Sequence, residues 1–267
     1  MVTRRQFVGH SAAGSALLLA PALGCSTNAS VAQVELHEGA GVVHFSPEGD
    51  VYELLSADHA LRTPRSLLGG APSDELGAFN YPVGLVHGAS SFFVLELGGA
   101  RVQRFDLSDG PVAAFGEYGA EEGQLARPRD IALGADGLLY VADSLNHRVQ
   151  VFTQEGAFVR AIGSAETLNG ARSVVIDHEG DVHIATEASV EVFSSTGTYL
   201  GSYASELHSP RCVRVDINGD TLVVDSVLGV VTRFDSQGRA LDSISPDGTP
   251  TWLSMHPSGS LRLSVRS

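Results

Sequence analysis

Leu125-Ala126-Arg127-Pro128-Arg129-Asp130-Ile131-Ala132-Leu133 runs into the tetrad Gly134-Ala135-Asp136-Gly137, then Leu138-Leu139-Tyr140-Val141-Ala142-Asp143. Ser144-Leu145-Asn146-His147 and Arg148-Val149-Gln150-Val151-Phe152 follow, then a second tetrad, Thr153-Gln154-Glu155-Gly156, and Ala157-Phe158-Val159-Arg160-Ala161-Ile162-Gly163. Short runs of apolar, β-branched and aromatic residues between turn-forming tetrads predict four strands. A glycine closing each tetrad supplies the positive φ that a tight hairpin needs.

The same landmarks recur on both sides of this stretch. Pro82, Pro128, Ala171, Pro210 and Pro250 each open a first strand, and Gly49, Gly137, Gly180, Gly219 and Gly259 each close a first hairpin. Gly110, Gly156, Gly197 and Gly238 close the second. Four-stranded units repeating roughly every forty residues predict the blades of a β-propeller. Counting them gives an all-β, six-bladed propeller with blades near 39–70, 77–118, 120–163, 168–203, 207–244 and 250–267. The last supplies only two strands. An open sheet edge invites aggregation, so the spare segment Gln33-Val34-Glu35-Leu36-His37 is expected to complete it, pairing residues near 32–38 with 250–267.

Phe115-Gly116, Gly119, Gly123 and Pro128, then Tyr140-Val141-Ala142-Asp143-Ser144 and Asn146-His147-Arg148-Val149-Gln150-Val151-Phe152, resemble the NHL repeat. Weaker copies align at 82–116 and 210–234, the copy at 171–203 lacks the proline and the Asn-His-Arg, and the copy at 40–70 is the most degraded. The resemblance implies a propeller that meets ligands on one face or in its channel. It does not specify an activity.

The N-terminus reads as an address. Thr3-Arg4-Arg5-Gln6-Phe7 and the loosened apolar stretch Val8 to Leu23 resemble a twin-arginine export signal. Ala22-Leu23-Gly24-Cys25 resembles a lipoprotein box, which implies lipidation of Cys25, with ordinary cleavage after Ala20-Pro21-Ala22 as the alternative. The expected organisation is a signal at 1–25, a flexible tether at 26–32 and the propeller at 33–267, exported to the periplasm or the outer face of the envelope and held there by lipid alone.

Composition narrows the function. The formal net charge is −14, which repels phosphate backbones and argues against nucleic acid as a partner. Every basic residue is Arg, which excludes a P-loop lysine and a Schiff-base lysine. No nucleophile elbow, zincin helix or Cys-x-x-Cys pair appears, and Cys212 has no partner in the mature domain.

Aligning the repeats isolates two rings of candidate residues. The position after the landmark proline holds Arg129, Arg172 and Arg211 in three successive units, with His208 shortly before the last. Such a positive rim could hold a carboxylate or phosphate, since guanidinium offers paired donors, or the arginines could pair with neighbouring blades. Nine places before Phe105, Phe152 and Phe234 stand Glu96, Asp143 and Asp225. These carboxylates could ring a calcium ion, although the NHL resemblance implies that each braces its own loop, as Asp143 would with Arg148.

His87, His178, His208 and His256 invite comparison with the zinc-binding amidating lyases, whose fold resembles this one, but they do not align across blades. His147 belongs to the repeat itself. The expected function is a scaffold without a cofactor that binds a protein, peptide or small ligand as a monomer. The alternative is a metal-dependent lyase or lactonase, with calcium as the candidate cofactor.

Overall fold

The structure, a computed structural model, describes residues 31–33 and 42–266. The export signal with Arg4 and Arg5, the lipidation candidate Cys25, and most of the expected closing segment, 34–38, lie outside the described residues. Among the described residues no helix is long and apolar enough to cross a membrane.

Twenty-two of the strands form antiparallel hairpins. The first blade comprises β2 (Val42–Phe45), β3 (Val51–Leu55), β4 (Ala60–Arg62) and β5 (Leu67–Gly69). The second comprises β6 (Pro82–His87), β7 (Ser91–Glu96), β8 (Arg101–Asp106) and β9 (Pro111–Phe115). The third holds β10 (Pro128–Leu133), β11 (Leu139–Asp143), β12 (Arg148–Phe152) and β13 (Phe158–Ile162). The fourth holds β14 (Ser173–Ile176), β15 (Val182–Ala185), β16 (Val190–Phe193) and β17 (Tyr199–Tyr203). The fifth holds β18 (Pro210–Val215), β19 (Thr221–Asp225), β20 (Val230–Phe234) and β21 (Ala240–Ile244).

Each of these five sheets is four-stranded in sequence order. The six four-stranded blades expected from the repeat count are therefore corrected to five. The last sheet has three strands, in the order β1–β23–β22: β22 (Thr249–Met255) and β23 (Leu261–Arg266) form one hairpin, and β1 (Val31–Gln33) joins from the N-terminal side. β1 runs parallel to β23, with Val31 opposite Leu261 and Gln33 opposite Leu263. Among the described residues it shares Ala32 and Gln33 with the expected closing residues near 32–38, and Val31 and Ala32 fall in the stretch assigned to the tether.

The inner strands β2, β6, β10, β14, β18 and β22 touch their neighbours in turn, and β22 returns to β2. Cores lie between consecutive blades. Leu54, Phe79, Phe92 and Phe105 seal the first to the second, with the Phe92 and Phe105 rings stacked at 5.0 Å. Tyr140, Val151 and Val174 lie between the third and fourth. Burying each such side chain contributes about 1.5–3 kcal/mol.

The join between β22 and β2 differs in kind. Ser254 Oγ donates to the Val43 carbonyl, His44 lies 5.9 Å from Trp252, and Arg262 stands 5.0 Å above the Phe45 ring. These polar and cation–π contacts add to the packing of Val42 against the apolar cluster of the last sheet.

The turn glycines behave as the tetrads predict at Gly49, Gly137, Gly156, Gly180, Gly197, Gly219, Gly238 and Gly259, all at positive φ. Gly110 does not. Asp109 takes the left-handed position at φ 70° instead, and Asp106 Oδ1 accepts the N–H groups of Ser108 and Gly110 to hold the turn.

Candidate functional site

The propeller has a channel with two mouths, and the repeat geometry determines what lines each. Four inner strands carry a β-bulge directly after their opening proline, between Pro82 and Gly84, Pro128 and Asp130, Pro210 and Cys212, and Pro250 and Trp252. The residue inside the bulge is the one that the alignment singled out: Val83, Arg129, Arg211 and Thr251. A bulge unpairs its residue and re-aims the side chain. Arg172 reaches the equivalent place without proline or bulge, its N–H donating to the Ala185 carbonyl.

The structure brings the three arginines together at one mouth. Burial, then Arg127, Arg172 and Arg211, hold the Arg129 guanidinium below its ordinary pKa, and burial followed by Arg172 and Arg266 does the same for Arg211. Five arginines therefore share one field. Arg172 is partly neutralised: Nη1 donates to Ser209 Oγ at 2.8 Å and Nη2 meets Glu187 Oε1 at 3.2 Å. Arg129 Nε is shut away without a hydrogen-bond partner. Among the described residues Arg129 and Arg211 form no ion pair. Arg127 adopts φ 55° and Tyr81 φ 59°, each directly before a landmark proline, a left-handed backbone that a side chain rarely takes. His208 is exposed in the loop entering β18, where its N–H donates to Asp225 Oδ2.

Loops on this face also display large apolar side chains. Tyr81, Tyr118, Leu145, Val227 and Leu228 are all exposed, Tyr118 at 76%. They belong to loops that enter first strands or join second strands to third strands, the same two loop types that build the arginine rim.

The three candidate metal carboxylates sit in separate blades, each fully buried at the end of a second strand. Asp143 Oδ1 accepts from the Ala126 N–H, and Oδ2 from Asn146 Nδ2, Arg148 Nε and Gln150 Nε2. Glu96 accepts from Arg101 Nε, Gln103 Nε2 and the Asn80 N–H. Asp225 accepts from four backbone N–H groups, those of His208, Ser209, Val227 and Leu228, which together outweigh burial and draw its pKa down. Asp143 and Asp225 staple the loop entering their blade to the loop after their own strand, and Glu96 ties its entering loop to β8. Among the described residues no group of three or more His, Cys, Asp or Glu side chains is placed to hold a metal ion.

Between the mouths lies a polar plug that the sequence did not disclose. Arg214 of β18, its side chain 14% exposed, pairs at 3.0 Å with Asp130 of β10, which is fully buried. Ser173 of β14 donates to Asp130 at 2.5 Å, and the Arg214 guanidinium lies 4.4 Å from the centre of the Trp252 ring on β22. Cys212 is buried beside this group, and burial pushes its thiol pKa up.

The opposite mouth is a vestibule of about 450 Å³ at the far ends of the inner strands. Four histidines line it: His44, His87, His178 and His256. Three of these were among the histidines that do not align in sequence. The structure gathers them nonetheless, and it leaves His208 at the other mouth. Burial above all drives His44 well below the usual imidazole range, helped by Arg214 and His87. Burial likewise pushes His87 down to about 4, against the opposing pull of Glu48 and Asp50. His256 is held by Ser258, whose N–H donates to Nδ1 at 3.1 Å.

His147 has a structural role. It sits at φ 53° after the short 3-10 turn Ser144–Asn146, and the Gly170 N–H donates to its Nδ1. His59 repeats this arrangement in the degraded first blade, at φ 53° after Ser56–Asp58, with its Nδ1 accepting from the Tyr81 N–H. The signal was present as Asp58-His59 in place of Asn146-His147, but the surrounding residues had drifted.

Comparison with known proteins agrees with this architecture. Residues 125–152 match the NHL repeat. The brain tumor protein of Drosophila melanogaster is 34% identical over 137 residues, 48% of this chain and 13% of that protein. The B-box type zinc finger protein ncl-1 of Caenorhabditis elegans is 34% identical over 140 residues, 49% of this chain and 16% of its own length. The chain thus spans under a fifth of these relatives. A streptogramin B lyase structure superposes with a TM-score of 0.65 over 85% of this chain and 90% of that one, at 13% identity, a likeness of fold alone.

Proposed function

We propose that the chain is an exported, membrane-tethered propeller scaffold that docks a protein or peptide segment, or a small ligand, through a carboxylate or phosphate on the Arg129–Arg172–Arg211 rim. The observation that carries this reading is the cluster of mutually repelling guanidinium groups, two of them without an ion pair, on a chain of net charge −14. Like charges held together cost free energy unless something of opposite sign completes them, and guanidinium binds carboxylate and phosphate through paired donors. The apolar collar of Tyr81, Tyr118, Leu145, Val227 and Leu228 suits a protein or peptide partner, because exposed apolar clusters ringed by polar residues mark such surfaces. The NHL resemblance supports the same reading.

The export and anchoring parts rest on Arg4, Arg5 and Cys25. The test of the binding reading is calorimetric titration with a short acidic peptide and, separately, inorganic phosphate, using the wild type and an Arg129→Ala/Arg211→Ala variant. Saturable binding that the double substitution removes supports the rim. Equal binding by both proteins would overturn it. Fractionation of cells expressing the wild type and Cys25→Ser tests the anchor: loss from the membrane fraction is expected.

A further inference from the structure

The histidine vestibule lies at the far mouth from the arginine rim and serves no part of the reading above. Its size falls within the range of small-molecule sites. Leu85, Val86, Leu133, Val215 and Met255 give it apolar walls, two from β6 and one each from β10, β18 and β22. Against these walls stand His44 and His87. Among the described residues, Nε2 of both is closed off from solvent without a hydrogen-bond partner, and no group bonds Nδ1. Two imidazoles that no described group bonds, with the Trp252 Nε1 beside His44 also without a partner, point to a missing partner.

The surrounding charges narrow what that partner is. Glu48 and Asp50 act on His87 from the turn after β2, and Asp216 lines the vestibule with Oδ1 already accepting the Asn218 and Asp220 N–H groups. These acids disfavour an anion. Arg214 acts on His44 from the inner end and disfavours a cation. A neutral imidazole presents one nitrogen as donor and one as acceptor, and a hydroxyl can serve either.

We infer that this vestibule is a binding site for a small, uncharged, largely apolar molecule that carries a hydroxyl group, received by the Nδ1 edges of His44 and His87. The ring of inner strands supplies a preformed apolar cup, and the two histidines supply orientation and selectivity.

The test uses the full chain and three probes of one size: p-cresol, toluene and 4-methylbenzoate. Calorimetry is expected to show saturable one-to-one binding of p-cresol, with toluene and 4-methylbenzoate about tenfold weaker or worse, as befits a site whose buried polar groups go unpaired when the hydroxyl is absent. His44→Phe keeps an aromatic ring and is expected to bring p-cresol down to the toluene level while leaving toluene unchanged. Should that variant fail to fold, His87→Phe and the imidazole ¹⁵N shifts of the wild type on adding p-cresol read the same contact. Absence of saturable p-cresol binding would overturn the inference. So would equal affinity for toluene, a preference for 4-methylbenzoate, or stoichiometric zinc uptake that excludes p-cresol.

Discussion

The two mouths of the channel are built from the same six inner strands yet carry opposite chemistry. The rim where the strands begin is cationic, bulged and collared by exposed apolar side chains; the vestibule where they end is lined by imidazoles and aliphatic walls, with acids nearby. They stay distinct because the channel between them is stopped by Asp130, Ser173, Arg214 and Trp252, contributed by four different blades. The difference teaches that in a repeat fold a position repeated in register builds one kind of site. Residues that break register build the other.

The plug carries the largest expected effect. Asp130→Ala leaves the Arg214 charge enclosed without its partner, and breaking a buried pair on one side costs about 3–5 kcal/mol. Urea unfolding should show that loss, whereas Asp130→Leu combined with Arg214→Met should recover much of it. A loss below about 1 kcal/mol for Asp130→Ala would mean that the plug does not hold the blades in place.

Next comes the rim. Arg129→Ala with Arg211→Ala should weaken binding of an acidic peptide by at least about tenfold, roughly 1.4 kcal/mol, more at low salt than at high. Stability should stay within about 0.5 kcal/mol, because neither side chain is paired.

The vestibule should answer to pH. His87, and His44 further still, bind protons less readily in the folded chain than in the unfolded one. Between pH 6.5 and about 4 the unfolded state therefore holds more protons, and stability falls as pH drops through that window. Asp177 and Asp225, with pKa values drawn below the usual carboxylate range, lose their contribution only at lower pH. Urea midpoints measured from pH 7 to 4 should fall less steeply for His44→Phe/His87→Phe. An unchanged slope would remove the histidines as its cause.

The smallest effect is expected from Arg172→Ala. Arg172 is already engaged by Ser209 and Glu187, so peptide affinity should drop less than about threefold, a typical outcome for an exposed pair. A larger drop would show that the three arginines act as one unit.

Much of this was legible in the sequence for a physical reason. The prolines and turn glycines recur because each blade must start and turn in the same way, so Arg129, Arg172 and Arg211 could be read as one ring before the bulges at Arg129 and Arg211 were seen. The bulge itself leaves no mark beyond the proline. The vestibule was illegible for the converse reason. His44 is the third residue of β2, His87 the last of β6, while His178 and His256 lie in the turns that follow β14 and β22. A strand advances about 3.3 Å per residue, so offsets of one or two places stay within one mouth while defeating any alignment. The Asp130–Arg214 pair joins residues two blades apart and has no local signature. The last sheet was foreseen as joined from the N-terminal side, but the parallel direction of β1 could not be read from alternation of residue types.

Trp252 gives the ring an unplanned optical property. It is the only tryptophan in the chain, it lies under the Arg214 guanidinium, and it stands on the strand that joins the last sheet to the first. Its emission therefore reports on that seam alone, while far-ultraviolet dichroism sums over every blade. Followed together through an unfolding transition, the two signals time the opening of the seam against the loss of the blades without any label being introduced.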